Sequence, residues 1–512
     1  MRQIVLLLIS VILLTACDDT NKIRNLTVAP AVVPIPKDAV VSEKVVVLSG
    51  KSTIYSENEK VLPLLTLFKT ELKKLTGFEL EITNSRQRAA ITFATDGQLA
   101  DDEYHIEIDD QVRVSGGSYQ ALAMARATLL QMSFTQNNEL YFPVATIKDR
   151  PSAKYRGLLI DLARSWHSVA TIKKLIDLAS FYKSNYVQLH FTDYQSYTLP
   201  SDKYPNLSTP DRHYTFEELD ELEAYAQLRG ITIIPEIDIP GHSSSIVNAY
   251  PEIFALKDKK ENPWIINMGK EEVYAALEDI IAEVARVFKA TPYFHIGGDE
   301  AIFNKTMDDP DVQAYMEAHQ LGDDVHELYR HFLVRMNEIV KRQGKQMCVW
   351  EGFRREGEIP IPKDIIVYEF ETNRYLPNHL VADGYTVVNT SWKPLYVVNK
   401  KKWEPKTIYG WNMWRWENWF PKAPSFTPIQ VEESPLVIGA QMCAWEQADE
   451  VEFPSLRKRL PALNERIWNT EQVAPYDEFI NKLEQVDAKL SLITDDTEQD
   501  SLLFDYNFEK ED

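Results

Sequence analysis

The chain has 512 residues, 44% of them hydrophobic, and a formal net charge of −22. That acidic balance argues against a nucleic-acid partner, since no basic stripe is present to track phosphates. The length allows large cores in two domains, and three cysteines are too few for a disulfide framework.

Met1-Arg2 is followed by an apolar run from Ile4 to Leu14 that ends Leu14-Thr15-Ala16-Cys17. The run is too short for a stable transmembrane span and has the shape of a secretion signal. Small residues directly before a cysteine resemble a bacterial lipobox. That implies a signal over 1–17, acylation of Cys17, and a lipid-anchored protein of the cell envelope facing the periplasm or the cell surface. An ordinary signal peptide with an incidental cysteine is the plainer alternative. Asp18 and Asp19 resemble residues that hold some lipoproteins at the inner membrane. Residues 18–38 are polar and carry Pro30, Pro34 and Pro36, which predicts a tether. Cys348 and Cys443 each lie within two residues of a tryptophan in apolar runs, so both are expected as buried thiols. No later stretch is long and apolar enough to cross a membrane.

Residues 39–149 read as a small α+β domain. Strand-like runs at Val45–Val47, Ala90–Phe93 and Tyr104–Ile108 alternate with helical apolar spacing over Leu62–Leu75 and Tyr119–Met132. This domain shows no constellation of reactive residues, so its expected role is structural. From Arg150-Pro151 the pattern changes to alternating strand and helix. Strands are predicted at Tyr155–Leu162, Tyr186–Phe191, Ile231–Ile237, around Phe294, at Met347–Val349, Ile365–Tyr368, Thr386–Val387 and Leu436–Ala444. Helices are predicted at Thr171–Tyr182, Phe216–Leu228, Glu271–Phe288 and Val325–Arg342. About eight β/α units over residues 150–470 make a (β/α)8 TIM barrel the expected fold. Residues 471–512 read as a short helical extension, Asp477–Leu492, and an acidic tail.

Barrel enzymes carry their chemistry at the carboxyl ends of the strands. Those ends hold, in order, Asp161 and Arg164, His190 and Asp193, Asp238 and His242, then Asp299 and Glu300. Trp350 and Glu351, Phe370, Tyr396 and Trp445 follow. In Tyr293-Phe-His-Ile-Gly-Gly-Asp-Glu300 the two glycines let adjacent carboxylates leave the strand together, whereas strand neighbours point to opposite faces. Two crowded acids suit acid/base work. Alone, the pair reads as readily as a solvated loop with a helix-capping Asp. The ring of aromatics, acids and one arginine around it suits a sugar, with aromatic faces for the pyranose and charged groups for its hydroxyls.

Five segments carry a specific resemblance: Arg156-Gly-Leu-Leu-Ile-Asp161-Leu-Ala-Arg164, His190-Phe-Thr-Asp193, Arg229-Gly-Ile, Ile234-Pro-Glu-Ile-Asp238-Ile-Pro-Gly-His242 and His295-Ile-Gly-Gly-Asp-Glu300. With Tyr396 and Trp445, they resemble the glycoside hydrolase family 20 β-N-acetylhexosaminidases over nearly the whole exported length. The segment 102–132 resembles the small α+β domain that precedes the barrel in that family. The resemblance implies a retaining enzyme, without cofactor or metal, acting on an oligosaccharide or glycan. The substrate's own acetamido oxygen then serves as nucleophile, an exception to the two-carboxylate scheme. It further implies Glu300 as general acid and base with a raised pKa, Asp299 on the acetamido N–H, and Tyr396 on the acetamido oxygen. His242 and Asp193 would orient the acid, and Arg164 would hold the 3- and 4-hydroxyls. A rim salt bridge with Asp161 is the plainer role for Arg164. Asp161, His190, Asp238 and His295 would support these groups from behind, and Trp350, Phe370 and Trp445 would be walls.

Three departures stand out. Val398 replaces the family's usual acid or Asn two residues after the tyrosine. Gln447 stands where the family has Glu, with Glu446 one place early, and Phe370 replaces a tryptophan. Positions 398 and 447 would read the 4- and 6-hydroxyls. Their neutrality suggests tolerance of a 6-O-substituted sugar such as a sulfated one, unless Glu446 swings in to replace the acid. The loop Trp411-Asn-Met-Trp414-Arg-Trp416-Glu-Asn-Trp419 could form a platform for a second sugar or pin itself to the barrel. Two rival readings are a metal-dependent barrel hydrolase, which has no His-x-His or His-Glu-x-x-His spacing behind it, and a non-catalytic glycan-binding lipoprotein.

Overall fold

The computed structural model describes residues 22–257, 262–399, 401–420, 425–471 and 473–498. Cys17, its lipobox and the end of the acidic tail lie outside the described residues. None of the described helices is long and apolar enough to cross a membrane.

The N-terminal unit is a mixed sheet of nine strands, with Asp38–Leu48 and Glu139–Asp149 its longest. Helices Leu62–Thr76 and Tyr119–Met132 pack beside it. The Ser118 side chain caps the second helix by accepting from the Ala121 N–H. That helix is buried along nearly its whole length because the sheet covers one face and the barrel the other. Its polar side chains fasten the barrel: Gln131 Nε2 donates to the Phe181 carbonyl at 2.8 Å and Arg126 Nη2 to Ser180 Oγ at 2.9 Å. Glu71 faces the same guanidinium at 2.8 Å, so the buried charge is paired.

The tether expected over 18–38 is corrected for residues 22–38. Lys22–Asn25 forms a strand against the long second strand, with Lys22 opposite Val47 and Asn25 opposite Lys44. Val32 and Val33 are buried, and the Ile35 N–H donates to Glu465 Oε2 at 2.8 Å. Apolar residues between the prolines are what bind this segment down, and the prolines disguise them.

The barrel closes from eight parallel strands: β1 (Tyr155–Asp161), β2 (Tyr186–His190), β3 (Thr232–Glu236), β4 (Tyr293–His295), β5 (Gln346–Trp350), β6 (Ile366–Glu369), β7 (Thr386–Asn389) and β8 (Val437–Trp445). Closure is by β8 on β1, with Tyr155 opposite Gly439 and Ile160 opposite Ala444. Helix Phe216–Leu228 occupies the predicted span, started by a capping box between Thr215 and Glu218. Residues 351–365, between β5 and β6, contain no helix. After Asn389 the seventh strand leaves the sheet, then returns as Tyr396–Val398 alongside Cys443–Trp445 of β8. That detour sets Tyr396 at the barrel mouth. Inward side chains including Tyr155, Leu159, Cys348, Trp350, Tyr368 and Cys443 fill the interior, and both cysteines are free and buried there. The extension helix runs from Tyr476 to Thr494 and packs on Leu62–Thr76.

Candidate active site

Strand β4 is three residues long and passes directly into Ile296-Gly297-Gly298-Asp299-Glu300. Gly297 has φ +69°, and a Cβ there would lie 1.8 Å from Asp238 Oδ1. No side chain fits, and the close approach lets the Gly298 N–H donate to the same oxygen at 3.1 Å. The turn delivers both acids to one imidazole. His242 Nε2 lies 3.6 Å from Asp299 Oδ2 and 3.4 Å from Glu300 Oε2. Their environments differ, since the Glu300 side chain is 48% exposed and that of Asp299 only 15%. His242 and Glu300 both hold left-handed backbone, φ +53° and +45°. Such conformations cost roughly 1–3 kcal/mol for a residue with a side chain and gather at functional sites.

Behind the imidazole stands Asp193. Its Oδ2 meets His242 Nδ1 at 3.2 Å, His190 Nε2 at 3.1 Å and Arg164 Nη2 at 2.7 Å. Burial works against its charge, but hydrogen bonds from His190 and His242 and the Arg164 charge hold the Asp193 carboxyl below its ordinary range. Burial likewise opposes a charge on His242, yet Asp238, Asp299 and Asp193 together push its pKa up to about 12. These carboxylates favour the imidazolium form of His242. Arg164 also reaches Asp161 at 3.4 Å and lies over the Trp445 ring, 4.9 Å from its centroid. Its shorter ion pair is with Asp193, so the rim pair with Asp161 is not its main contact.

Glu236, which sequence reasoning passed over, is the hub beneath these groups. Wholly buried, it receives Trp350 Nε1–H at 2.6 Å and Gln188 Nε2–H at 2.8 Å, and lies 3.0 Å from His190 Nδ1. His295 Nδ1 is 3.3 Å from it and accepts the Gly297 N–H at 3.0 Å. The signal was available: Glu236 ends β3 inside the Pro-Glu-Ile-Asp run. Trp264, also passed over, packs on the His242 ring at 4.4 Å with Tyr194 beside it at 5.6 Å.

The expected aromatic walls converge. Phe370 stacks on Tyr396 at 6.1 Å and 12°, while Trp445 lies 6.0 Å from Trp350 and 6.1 Å from Tyr396. Beyond Tyr396 opens a cavity of about 280 Å³, into which Val398 and Glu446 face. Gln447 is buried, while Glu446 is exposed, has φ +58°, and donates its N–H to Asp161 Oδ2 at 3.2 Å. The tryptophan loop divides its roles. Trp411 and Trp416 are buried, with Trp416 Nε1 donating to the Glu369 carbonyl at 3.2 Å, whereas half-buried Trp419 lines the cavity.

One expectation is reversed. Glu300 was expected to have a raised pKa, but the close approach of His242 Nε2, 3.4 Å away, and its charge hold the Glu300 carboxyl below the ordinary value against the effect of burial. The raised carboxyl is Asp299, through burial first, with the Glu300 charge adding and His242 opposing.

Three donor sets come close enough to grip a cation: His190, Glu236 and Asp238; Asp193, Asp238 and His242; His242, Asp299 and Glu300. Both ring nitrogens of His190 already face carboxylates, and His242 Nδ1 faces Asp193. The histidines of these sets thus already stand against carboxylates.

A closed (β/α)8 barrel with an acid pair and an aromatic wall at its carboxyl-end mouth has the architecture of a barrel hydrolase. The chain belongs to glycosyl hydrolase family 20: residues 154–471 match its catalytic domain and residues 29–150 its domain 2. A beta-hexosaminidase of Porphyromonas gingivalis is 29% identical over 360 residues, 64% of this chain and 46% of that protein. One of Vibrio furnissii is 31% identical over 330 residues, 59% of this chain and 53% of its own. The chain thus spans about half the length of these curated relatives. Among solved structures, the beta-N-acetylhexosaminidase of Bacteroides fragilis matches with a TM-score of 0.78 at 25% identity, over 90% of this chain and 96% of that one. A Flavobacterium johnsoniae chitobiase shares the fold, with a TM-score of 0.76 at 24% identity over 91% and 73% of the two chains.

Proposed function

We propose that the chain hydrolyses terminal β-linked N-acetylhexosamine from glycans with retention, using the substrate's acetamido group as nucleophile. One observation carries this reading: a single turn presents a largely covered and a half-exposed carboxylate to one imidazole. The acetamido oxygen attacks the anomeric carbon as the glycosidic bond breaks, and Glu300 gives its proton to the departing oxygen. Asp299 Oδ1, buried and without a hydrogen-bond partner among the described residues, takes the acetamido N–H and offsets the charge of the oxazolinium. Tyr396 donates to the attacking oxygen and holds it near the anomeric carbon. Water then adds to that carbon, returning its proton to Glu300 and restoring the acetamide. The lowered pKa of Glu300 is reconciled by its exposure, because a pyranose seated over it removes water and moves the carboxyl upward.

Neutral Val398 and Gln447 support tolerance of a substituent on the 6-hydroxyl, while exposed Glu446 beside them counts against a sulfate there. Acylation at Cys17, supported by the lipobox-like Leu14-Thr15-Ala16-Cys17, would hold the enzyme at a bacterial membrane. The catalytic reading is tested by following hydrolysis of an aryl β-N-acetylglucosaminide by NMR. The β-anomer should form first and an oxazoline-mimicking thiazoline should inhibit. Initial release of the α-anomer would rule the reading out.

A further inference from the structure

Around a closed eight-stranded barrel, β4 and β8 lie on opposite sides. Glu300 follows β4, with Tyr194 and Ile302 both about half exposed on that side. The cavity beyond Tyr396 is built from the other side, by the returning part of the seventh strand, the residue after β8 and the loop between them. Its walls are Trp392, Trp403 and Trp419, with Tyr396 and Val398 toward the reaction site and the Glu446 carboxylate at its edge. Trp392 and Trp419 meet edge to face at 5.3 Å, and Trp392 also packs on Tyr396 at 5.8 Å, so the aromatic surface runs unbroken from Tyr396 outward. Asn399 adds a neutral polar group.

This geometry decides what the cavity faces. The leaving group departs from the anomeric carbon beside Glu300, so C4, the ring atom farthest from that carbon, points the other way, with the C5–C6 arm beside it. These carry the 4- and 6-hydroxyls. An acid at position 398 would hold these hydroxyls by hydrogen bonds, whereas Val398, which lines the cavity, makes none. Three half-buried indoles with one carboxylate and one amide form a surface that stacks a pyranose and accepts its hydroxyls. The volume of about 280 Å³ is near the lower end for a ligand pocket and suits one compact ligand. The carboxylate disfavours an anionic one.

We propose that this cavity is a subsite for a second, neutral pyranose linked to the 4- or 6-hydroxyl of the N-acetylhexosamine, so that the enzyme releases intact disaccharides as well as the monosaccharide. The inference rests on the catalytic reading above. The reaction is unchanged in its bonds: the same glycosidic bond at the N-acetylhexosamine anomeric carbon is hydrolysed, and the outer linkage stays whole.

The experiment compares p-nitrophenyl β-N-acetylglucosaminide with its derivatives bearing a hexopyranose at the 4- or 6-hydroxyl and with the 6-sulfate. Products are identified by mass. At least one disaccharide glycoside should release nitrophenol and the intact disaccharide, with kcat/KM no more than about threefold below that of the monosaccharide; the sulfate should be about tenfold poorer or worse. Trp403→Ala and Trp419→Ala should each lower kcat/KM about tenfold for the disaccharide substrate, mainly through KM, and less than twofold for the monosaccharide. Trp403→Phe should restore most of the loss. Cleavage of the monosaccharide alone would overturn the subsite while leaving the catalytic reading standing. Variants that weaken both substrates equally, or that weaken only cleavage of chitobiose through its reducing-end sugar, would also overturn it. Failure to cleave the monosaccharide would instead sink the catalytic reading.

Discussion

The Nε2 atom of His242 lies 3.4 Å from Glu300 Oε2 and 3.6 Å from Asp299 Oδ2, so one imidazolium is shared between two neighbouring acids. Its charge favours the ionised form of both, yet it leaves them unequal because burial acts more strongly on Asp299. The site is thus biased toward one ionised and one protonatable carboxyl, and substrate contact decides which is which.

Glu300→Gln keeps the shape and removes the proton. Its kcat on a sugar leaving group should fall by about 10²–10⁴, the range of general acid–base catalysis. The loss should be smallest for a dinitrophenyl glycoside, whose leaving group needs little protonation. Steady-state kinetics on both substrates make the check, and equal losses would argue that Glu300 acts otherwise.

Asp299→Asn should lower kcat by about 10²–10³ with little change in fold, as expected on losing one oriented charge-stabilising partner. Because Asp299 is assigned to the acetamido group, the variant should gain nothing on plain glucosides. Wild type cleaving plain glucosides as fast as N-acetylglucosaminides would contradict the assignment.

The His242–Asp193 pair predicts a pH signature in stability. The Asp193 carboxyl is depressed from 3.8, so its contribution is present above that value and lost as pH falls through its folded pKa. The His242 pKa is raised from 6.5 to about 12, so its contribution is complete below 6.5 and declines as pH climbs toward the folded value. The difference in Tm between wild type and His242→Gln should therefore be greatest at about pH 4–6.5 and shrink steadily toward pH 9. Thermal unfolding across that range gives the answer, and a flat difference would refute the shift.

Gly297→Ala should be among the most damaging single-methyl changes in the chain. The new Cβ would fall 1.8 Å from Asp238 Oδ1 at φ +69°, so the turn carrying both acids must move. A displacement of about 1 Å there should reduce kcat at least 10²-fold even if the barrel folds. Near-native kcat with a Tm within a few degrees of wild type would show that the turn yields more easily than its contacts indicate.

Much of the barrel was legible because its signals are local. Phe216–Leu228 carries Thr215 and Glu218 at capping spacing, and β2 ends in His190 with Asp193 three residues on. The acids of the site were legible because two glycines directly before adjacent carboxylates mark the point where a strand gives way to a turn. What escaped depends on the third dimension. Residues 22–38 look like a tether because three prolines mask the burial of Val32 and Val33. The interruption of the seventh strand before Tyr396 leaves no periodic trace, and residue type does not announce the left-handed backbone of His242, Glu300 and Glu446. The lowered pKa of Glu300 arises from an imidazolium that lies 58 positions earlier in sequence.

The strand at Lys22–Asn25, pinned opposite Val47–Lys44, also sets a distance. With the anchor proposed at Cys17, only residues 18–21 separate the lipid from the folded body. Four residues reach at most roughly 14 Å when fully extended, against about 70 Å for a free segment reaching to residue 38. The body would ride close against the bilayer, with little freedom to swing outward. Glycans within a protein's breadth of the lipid surface would be in range, and longer polymers would have to be brought down to the enzyme.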